Sequence, residues 1–169
     1  LRQVLEGESA TDGSLLLIRL TDLAGINRRL GREATDDYLK RAADAIRLCA
    51  RLAPEGIAAR LNGADFAVML PGEASGRGAA GKLLERLAEI AAPFVEGRTA
   101  AIGLGRFGLG MDLGSVLARV DSALAGAEAE GIDAIREATP DGREAQPRTA
   151  RQWEQMIQRA LDNEWVRLT

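Results

Sequence analysis

The sequence predicts a mixed α/β (α+β) fold in which a mostly antiparallel central sheet is covered by helices on one or both faces. Three features carry that prediction. Apolar runs of strand length recur at residues 14–20, 57–61, 66–70 and 98–104, each too short for a core helix. Longer stretches between them repeat apolar residues at helical spacing. Asn62-Gly63 divides two of the apolar runs, which is the strongest short-range hairpin signal a sequence offers. At 169 residues the chain suits about one domain at roughly 150 residues each. Its 46% hydrophobic and 28% charged residues are enough to build a real core.

The first element is the run 14–20, bounded by Asp12-Gly13 and read as a buried strand. Residues 22–30 form a short helix closed by Gly31. Thr35 then stands as the N-cap of a long helix, with Asp36-Asp37 in its first turn. Tyr38, Leu39, Ala42, Ile46 and Cys49 form its stripe, and it ends near Leu52. The hairpin 57–70 follows, both its strands read as central. Next comes a helix over 79–91 with Leu83, Leu84, Leu87 and Ile90 on one face, then the strand 98–104. Ser115 caps a helix carrying Val116, Leu117, Val120, Leu124 and Ala127. Gly131 stops it before an edge strand over 132–136.

This order contains the split β-α-β-β-α-β unit of ferredoxin-like folds. The domain is expected to span 1–138, with a polar linker over 139–148 that holds Pro140-Asp141-Gly142 and Pro147. Thr149 and Gln152 make a capping-box pattern for a last helix over 149–169, striped by Trp153, Met156, Ile157, Ala160 and Leu161. That stripe reads as a packing surface that docks on the domain or on a neighbouring protomer.

Composition excludes several chemistries. The chain has no histidine, so imidazole bases, Ser-His triads and His-ligated zinc are ruled out within it. The single cysteine, Cys49, cannot form an internal disulfide and reads as an inert core thiol. A net charge of -3 gives no global attraction to nucleic acid. Gly103 and Gly105 lack the spacing of a dinucleotide loop. No apolar run approaches the roughly 20 residues of a membrane span, and the first residues lack a signal-peptide layout, so no direct membrane contact is expected. Because residue 1 is Leu rather than Met, the chain is expected to be an excised piece whose membrane anchor lies elsewhere.

The hairpin segment Arg60-Leu61-Asn62-Gly63-Ala64-Asp65-Phe66-Ala67-Val68-Met69-Leu70-Pro71 resembles the signature hairpin of GGDEF diguanylate cyclase domains, the pentad here reading Asn62, Gly63, Ala64, Asp65, Phe66. Upstream, residues 18–31 resemble the family's metal-binding strand end and its Ile-Asn-Asp-x-x-Gly-His stretch. Downstream, Arg119-Val120-Asp121-Ser122-Ala123-Leu124 resembles its Arg-Ala-Asp-x-Ala-Leu pattern. The family's opening Asp-x-Leu-Thr-Gly-Leu segment is absent, as in an N-terminally truncated domain. The resemblance implies a nucleotide-cyclase-like fold and a family chemistry that joins two GTP molecules into cyclic di-GMP. That chemistry is a 3′-hydroxyl attack on an α-phosphate, and it needs carboxylate-held cations and a cationic cradle for the triphosphate.

Position by position, the resemblance also implies that those parts are missing. The metal-binding Asp-x-Asp positions fall on Arg19 and Thr21, and the acidic third signature residue falls on Ala64. The phosphate-contacting Lys and Arg fall on Glu128 and Ile132, and the inhibitory Arg-x-x-Asp motif falls on Ala53-Pro54-Glu55-Gly56. The family's guanine-binding Asn and Asp are retained as Asn27 and Asp36. The expectation is a catalytically inactive domain with no Mg²⁺ cofactor and no inhibitory site, acting as a regulatory module in cyclic di-GMP signalling. The tail resembles the entry into an EAL phosphodiesterase-type domain, so an adjacent EAL domain is the expected partner. A tandem protein of the LapD-type receptor class is then the expected context, with this domain in the cytosolic part of an inner-membrane-anchored bacterial protein. The alternative is a GTP-binding allosteric activator of a cyclic di-GMP phosphodiesterase. Homodimer formation and weak GTP binding are left open.

Overall fold

The computed structural model describes residues 12–72 and 76–139, together with Gln155. The elements run β1 (Gly13–Leu20), α1 (Leu23–Ala50), β2 (Ile57–Asn62), β3 (Asp65–Pro71), α2 (Gly76–Ala91), β4 (Ala100–Phe107), α3 (Leu113–Ala129) and β5 (Ala134–Glu137). They form a five-stranded sheet in the order β2-β3-β1-β4-β5. Every pairing is antiparallel except β4 with β5. The first four strands reproduce the expected split unit, and β5 adds a parallel edge after α3.

Strand alternation divides the core. Leu16, Ile18 and Leu20 share one face with Phe66, Val68 and Leu70, and there they meet α1 and α2. Leu15 and Leu17 share the other with Ala67 and Met69, against α3. Helices thus cover both faces, which is why the central strands read as continuous apolar runs. Gly103 and Gly105 let α3 approach β4. A Cβ on Gly103 would sit 2.3 Å from the Val120 carbonyl oxygen, and one on Gly105 would sit 2.4 Å from Val120 Cγ2.

Several boundaries differ from the sequence reading, each for a local reason. The strand β2 lies at the sheet edge rather than the centre. Asn62 pairs with Asp65 across a register shift, so Gly63-Ala64 forms the turn. The break between the two expected helices falls at Gly31 (φ 84°, ψ 175°), a conformation glycine adopts readily. Helix resumes directly after it, so Thr35 is not a cap. Its hydroxyl donates to the Gly31 carbonyl at 3.0 Å, one turn back. The cap of α3 is Asp112, whose carboxylate accepts from the N–H and hydroxyl of Ser115. The helix α2 starts at Gly76, and β4 runs from Ala100 to Phe107. Ile132 is 64% exposed and precedes β5. Cys49 is buried as expected, and burial pushes its thiol up to about 11. No helix among the described residues is long and apolar enough to cross a membrane. Of the expected linker over 139–148 only Thr139 is described, and of the expected last helix over 149–169 only Gln155, which is helical and exposed.

Candidate functional site

The antiparallel register sets Arg19, near the end of β1, opposite Asp65, the first residue of β3. Because Arg19 follows Leu15 and Leu17 at spacing two, its side chain leaves the sheet on the α3 side. The last turn of α3 brings Glu128 to the same place. Arg19 Nε donates to Asp65 Oδ1 at 2.6 Å and Nη2 donates to Oδ2 at 3.1 Å, a two-pronged pairing. Arg19 Nη1 donates to Glu128 Oε2 at 2.7 Å. The Asp65 side chain is 9% exposed, while Arg19 and Glu128 are about a quarter exposed. The hydrogen bond to Asp65 holds the guanidinium well above its ordinary pKa despite partial burial, with the charge of Asp65 and then Glu128 adding to it.

A second layer supports this cluster. Arg98 Nη1 donates to the Glu128 carbonyl, where the C-terminus of α3 favours a cation. The Arg98 carbonyl in turn accepts from the Thr21 hydroxyl. Beside it, the Asp133 carboxylate accepts from the Thr99 N–H, from the Thr99 hydroxyl at 2.7 Å and from the Ala100 N–H at 2.9 Å. This clasp fixes the start of β5 against β4. At the start of α1, Asp22 (φ 57°, ψ 30°) caps the helix by accepting from the Gly25 N–H at 3.1 Å, and it pairs with Arg29 at 3.0 Å.

The fold therefore brings together Arg19, Asp65 and Glu128, three of the positions singled out in the sequence, with Ala64 next to them at the turn. Asn62 and Gly63 are exposed at the hairpin tip, and Phe66 is buried in the core. Arg60 steadies that tip with donors to the Gly63 carbonyl at 2.7 and 3.2 Å. Ile132 is 64% exposed and turns outward. Asn27 and Asp36 both lie exposed on α1, on opposite sides of the Gly31 break, and Asp36 faces Arg32 at 3.8 Å. Ala53-Pro54-Glu55-Gly56 forms the tight turn after α1, closed by Gly56 N–H donating to the Ala53 carbonyl at 3.0 Å. Arg98 and Asp133 were not foreseen. Their partners are 30 to 34 residues distant in sequence, and no local pattern marks them.

The family model described as "Diguanylate cyclase, GGDEF domain" matches residues 1–134. No curated protein matches the sequence. Among solved structures, the GGDEF domain of DgcB from Caulobacter crescentus, in complex with c-di-GMP, is 26% identical with a TM-score of 0.64, the match covering 80% of this chain and 82% of that one. The EAL/GGDEF domain protein from M. capsulatus is 26% identical with a TM-score of 0.63, over 82% and 94% of the two chains. The Vibrio cholerae LapD S helix-GGDEF-EAL structure, bound to c-di-GMP, is 18% identical with a TM-score of 0.64 over 94% of this chain and 37% of that one, a likeness of fold alone.

Proposed function

Since the chain belongs to the GGDEF family of diguanylate cyclase domains, we propose that it serves cyclic di-GMP signalling as a regulatory domain without cyclase chemistry of its own. The observation that carries this reading is the Arg19–Asp65–Glu128 cluster. The family reaction needs hard cations on carboxylate oxygens. Here a fixed guanidinium takes both Asp65 oxygens and one of Glu128, and Ala64 offers no side-chain oxygen. A divalent ion entering this space would meet a like charge and would have to displace three charge-assisted hydrogen bonds. The residues present do not fit Mg²⁺.

Triphosphate binding is opposed in the same way. A helix N-terminus is a natural anion site, and the Asp22 carboxylate already caps that of α1. Glu128 and Ile132 bring no cation to the phosphates. The M. capsulatus EAL/GGDEF relative supports an EAL domain as the partner of this one.

The test is synthesis from GTP by the purified chain with Mg²⁺ or Mn²⁺. No cyclic di-GMP is expected, and product above a no-enzyme control would overturn the reading. Arg19→Asp with Ala64→Glu is expected to remain inactive, because the phosphate contacts are still missing. Turnover in that double variant would show that the metal site alone had been lost.

A further inference from the structure

At the end of the sheet opposite the Arg19 cluster, a cavity of about 550 Å³ opens between the first half of α3 and the far ends of β4 and β5. Its apolar lining includes Met111, Val116 and Val120, and Arg106 and Arg119 also line it. Among the described residues neither guanidinium has a carboxylate partner. Arg119 reaches only the Met111 sulfur, at 4.0 Å. The acid at the rim, Glu137, faces Arg77 at 3.8 Å. Next to the opening, Leu109 is 74% exposed and Met111 47%.

Thr139, the last residue of the continuous described stretch, also lines this cavity, so the chain leaves the domain at its lip. We propose that the cavity is the docking site of the chain's own C-terminal segment, residues 149–163, held as a helix by its Trp153–Leu161 stripe. The occupant is argued from position, pattern and charge. Nine residues lie between Thr139 and Thr149. At roughly 3.3 Å per residue they can fold back over the opening, and so short a tether holds the segment at an effective concentration of about millimolar.

On a helix of about 3.6 residues per turn, Trp153, Met156, Ile157, Ala160 and Leu161 share one face. In the proposed docked helix Glu154 flanks that face and would bring a carboxylate toward Arg106 and Arg119. Gln155, the described residue of this segment, is helical and exposed, and it falls about 200° around the helix from Trp153, on the side away from the stripe.

Both tryptophans of the chain, Trp153 and Trp165, lie in this terminal region, so a Trp165→Phe chain reports on Trp153 alone. In that chain, Trp153 emission is expected to be blue-shifted and protected from acrylamide. Arg106→Glu with Arg119→Glu should red-shift it and raise quenching several-fold while circular dichroism stays unchanged. Glu154→Arg added to that pair should restore protection. A solvent-exposed Trp153 in the parent chain would overturn the proposal. So would a buried Trp153 indifferent to the reversal, which would place the segment elsewhere. Protection that rises with protein concentration together with a doubled mass would also overturn it, making a second copy the occupant. Should the double reversal fail to fold, Met111→Asp alone, at a half-exposed position, is expected to give the same red shift.

Discussion

The two faces of the sheet differ in how fully they satisfy their buried polar groups. On the α3 side, the core ends in a cluster where Arg19 answers both Asp65 and Glu128. On the α1 and α2 side, Tyr38 is fully buried, its hydroxyl has no hydrogen-bond partner among the described residues, and its ring lies 5.5 Å from that of Phe94. Among the described residues, one face holds its charge by pairing it, while on the other the Tyr38 hydroxyl and the Arg47 Nε are buried without a hydrogen-bond partner. The contrast bears on which residues can change independently. The half-buried Arg19 guanidinium is held because the acids beside it accept its donors, and Glu128 is one of those acids. Positions 19, 65 and 128 therefore function as a set, whereas Tyr38 can be altered alone.

The largest test breaks the set. Arg19→Ala leaves the nearly buried Asp65 beside Glu128 with no cation between them. A loss of about 3 kcal/mol in urea-unfolding stability is expected, within the range for orphaning a largely buried ion pair. Arg19→Asp should cost more, since it adds a third carboxylate. Replacing all three residues by apolar ones of similar size should cost much less than either single change, because no charge is then left unpaired. If Arg19→Ala unfolds at the parent midpoint, the cluster is a solvated contact and the contrast between the faces disappears.

Alkaline pH probes the other face. Burial pushes Tyr38 up to about 12 from 10, with the charge of Asp133 adding to it, and burial alone pushes Cys49 up to about 11 from 9. Both folded-state values exceed the unfolded ones, so the unfolded chain loses these protons first. The contribution is complete below about pH 9 and is lost as pH rises from there to about 12, by at most about 2–3 kcal/mol per group. Arg19 stays charged throughout this window. Tyr38→Phe with Cys49→Ala should flatten the alkaline limb of a stability-against-pH curve, and an unchanged limb would place the sensitivity elsewhere.

Near neutral pH, Tyr38→Phe alone should leave stability unchanged or raise it by up to about 1 kcal/mol, because it removes a buried hydroxyl with no partner while keeping the ring contact with Phe94. The sign is the point of comparison with Arg19→Ala. A loss above about 1 kcal/mol would mean that an ordered water satisfies the hydroxyl, and the two faces would then obey one rule.

How much of this was legible in the sequence follows from the range of each interaction. Strand runs, helix stripes and the hairpin are local patterns, so the element order and the layered fold could be read directly. Caps and turns could not be placed as well. Asp112 and Ser115 are both competent N-caps three residues apart, and Gly63-Ala64 rather than Asn62-Gly63 turns the hairpin because of the register shift after Arg60. Positions 19, 64 and 128 stood out in the sequence only against the family pattern that the chain resembles. That Arg19 and Glu128 bind each other was not visible there, since 109 residues separate them and only the packing of α3 beneath β1 joins them. Arg98 and Asp133 act through backbone carbonyls and amides, which no side-chain motif records.

The smallest effect is expected at Asn27 and Asp36, which separate structure from any remaining recognition. Both side chains are exposed, and the Arg32–Asp36 pair at 3.8 Å is an open surface contact. Asn27→Ala and Asp36→Ala should each move stability by no more than about 0.5 kcal/mol, so their effect on ligands can be measured in an intact fold. If the domain still recognises guanine, the recognition rests on the base. An amide and a carboxylate can pair with the guanine edge, while Asp22 and Glu128 repel phosphate. Guanosine and GTP should then bind with similar, weak affinity in calorimetry, and the double alanine variant should bind neither. A marked preference for GTP that survives in that variant would reveal a phosphate site distant from these residues, and with it a reason to regard the domain as a nucleotide-gated switch.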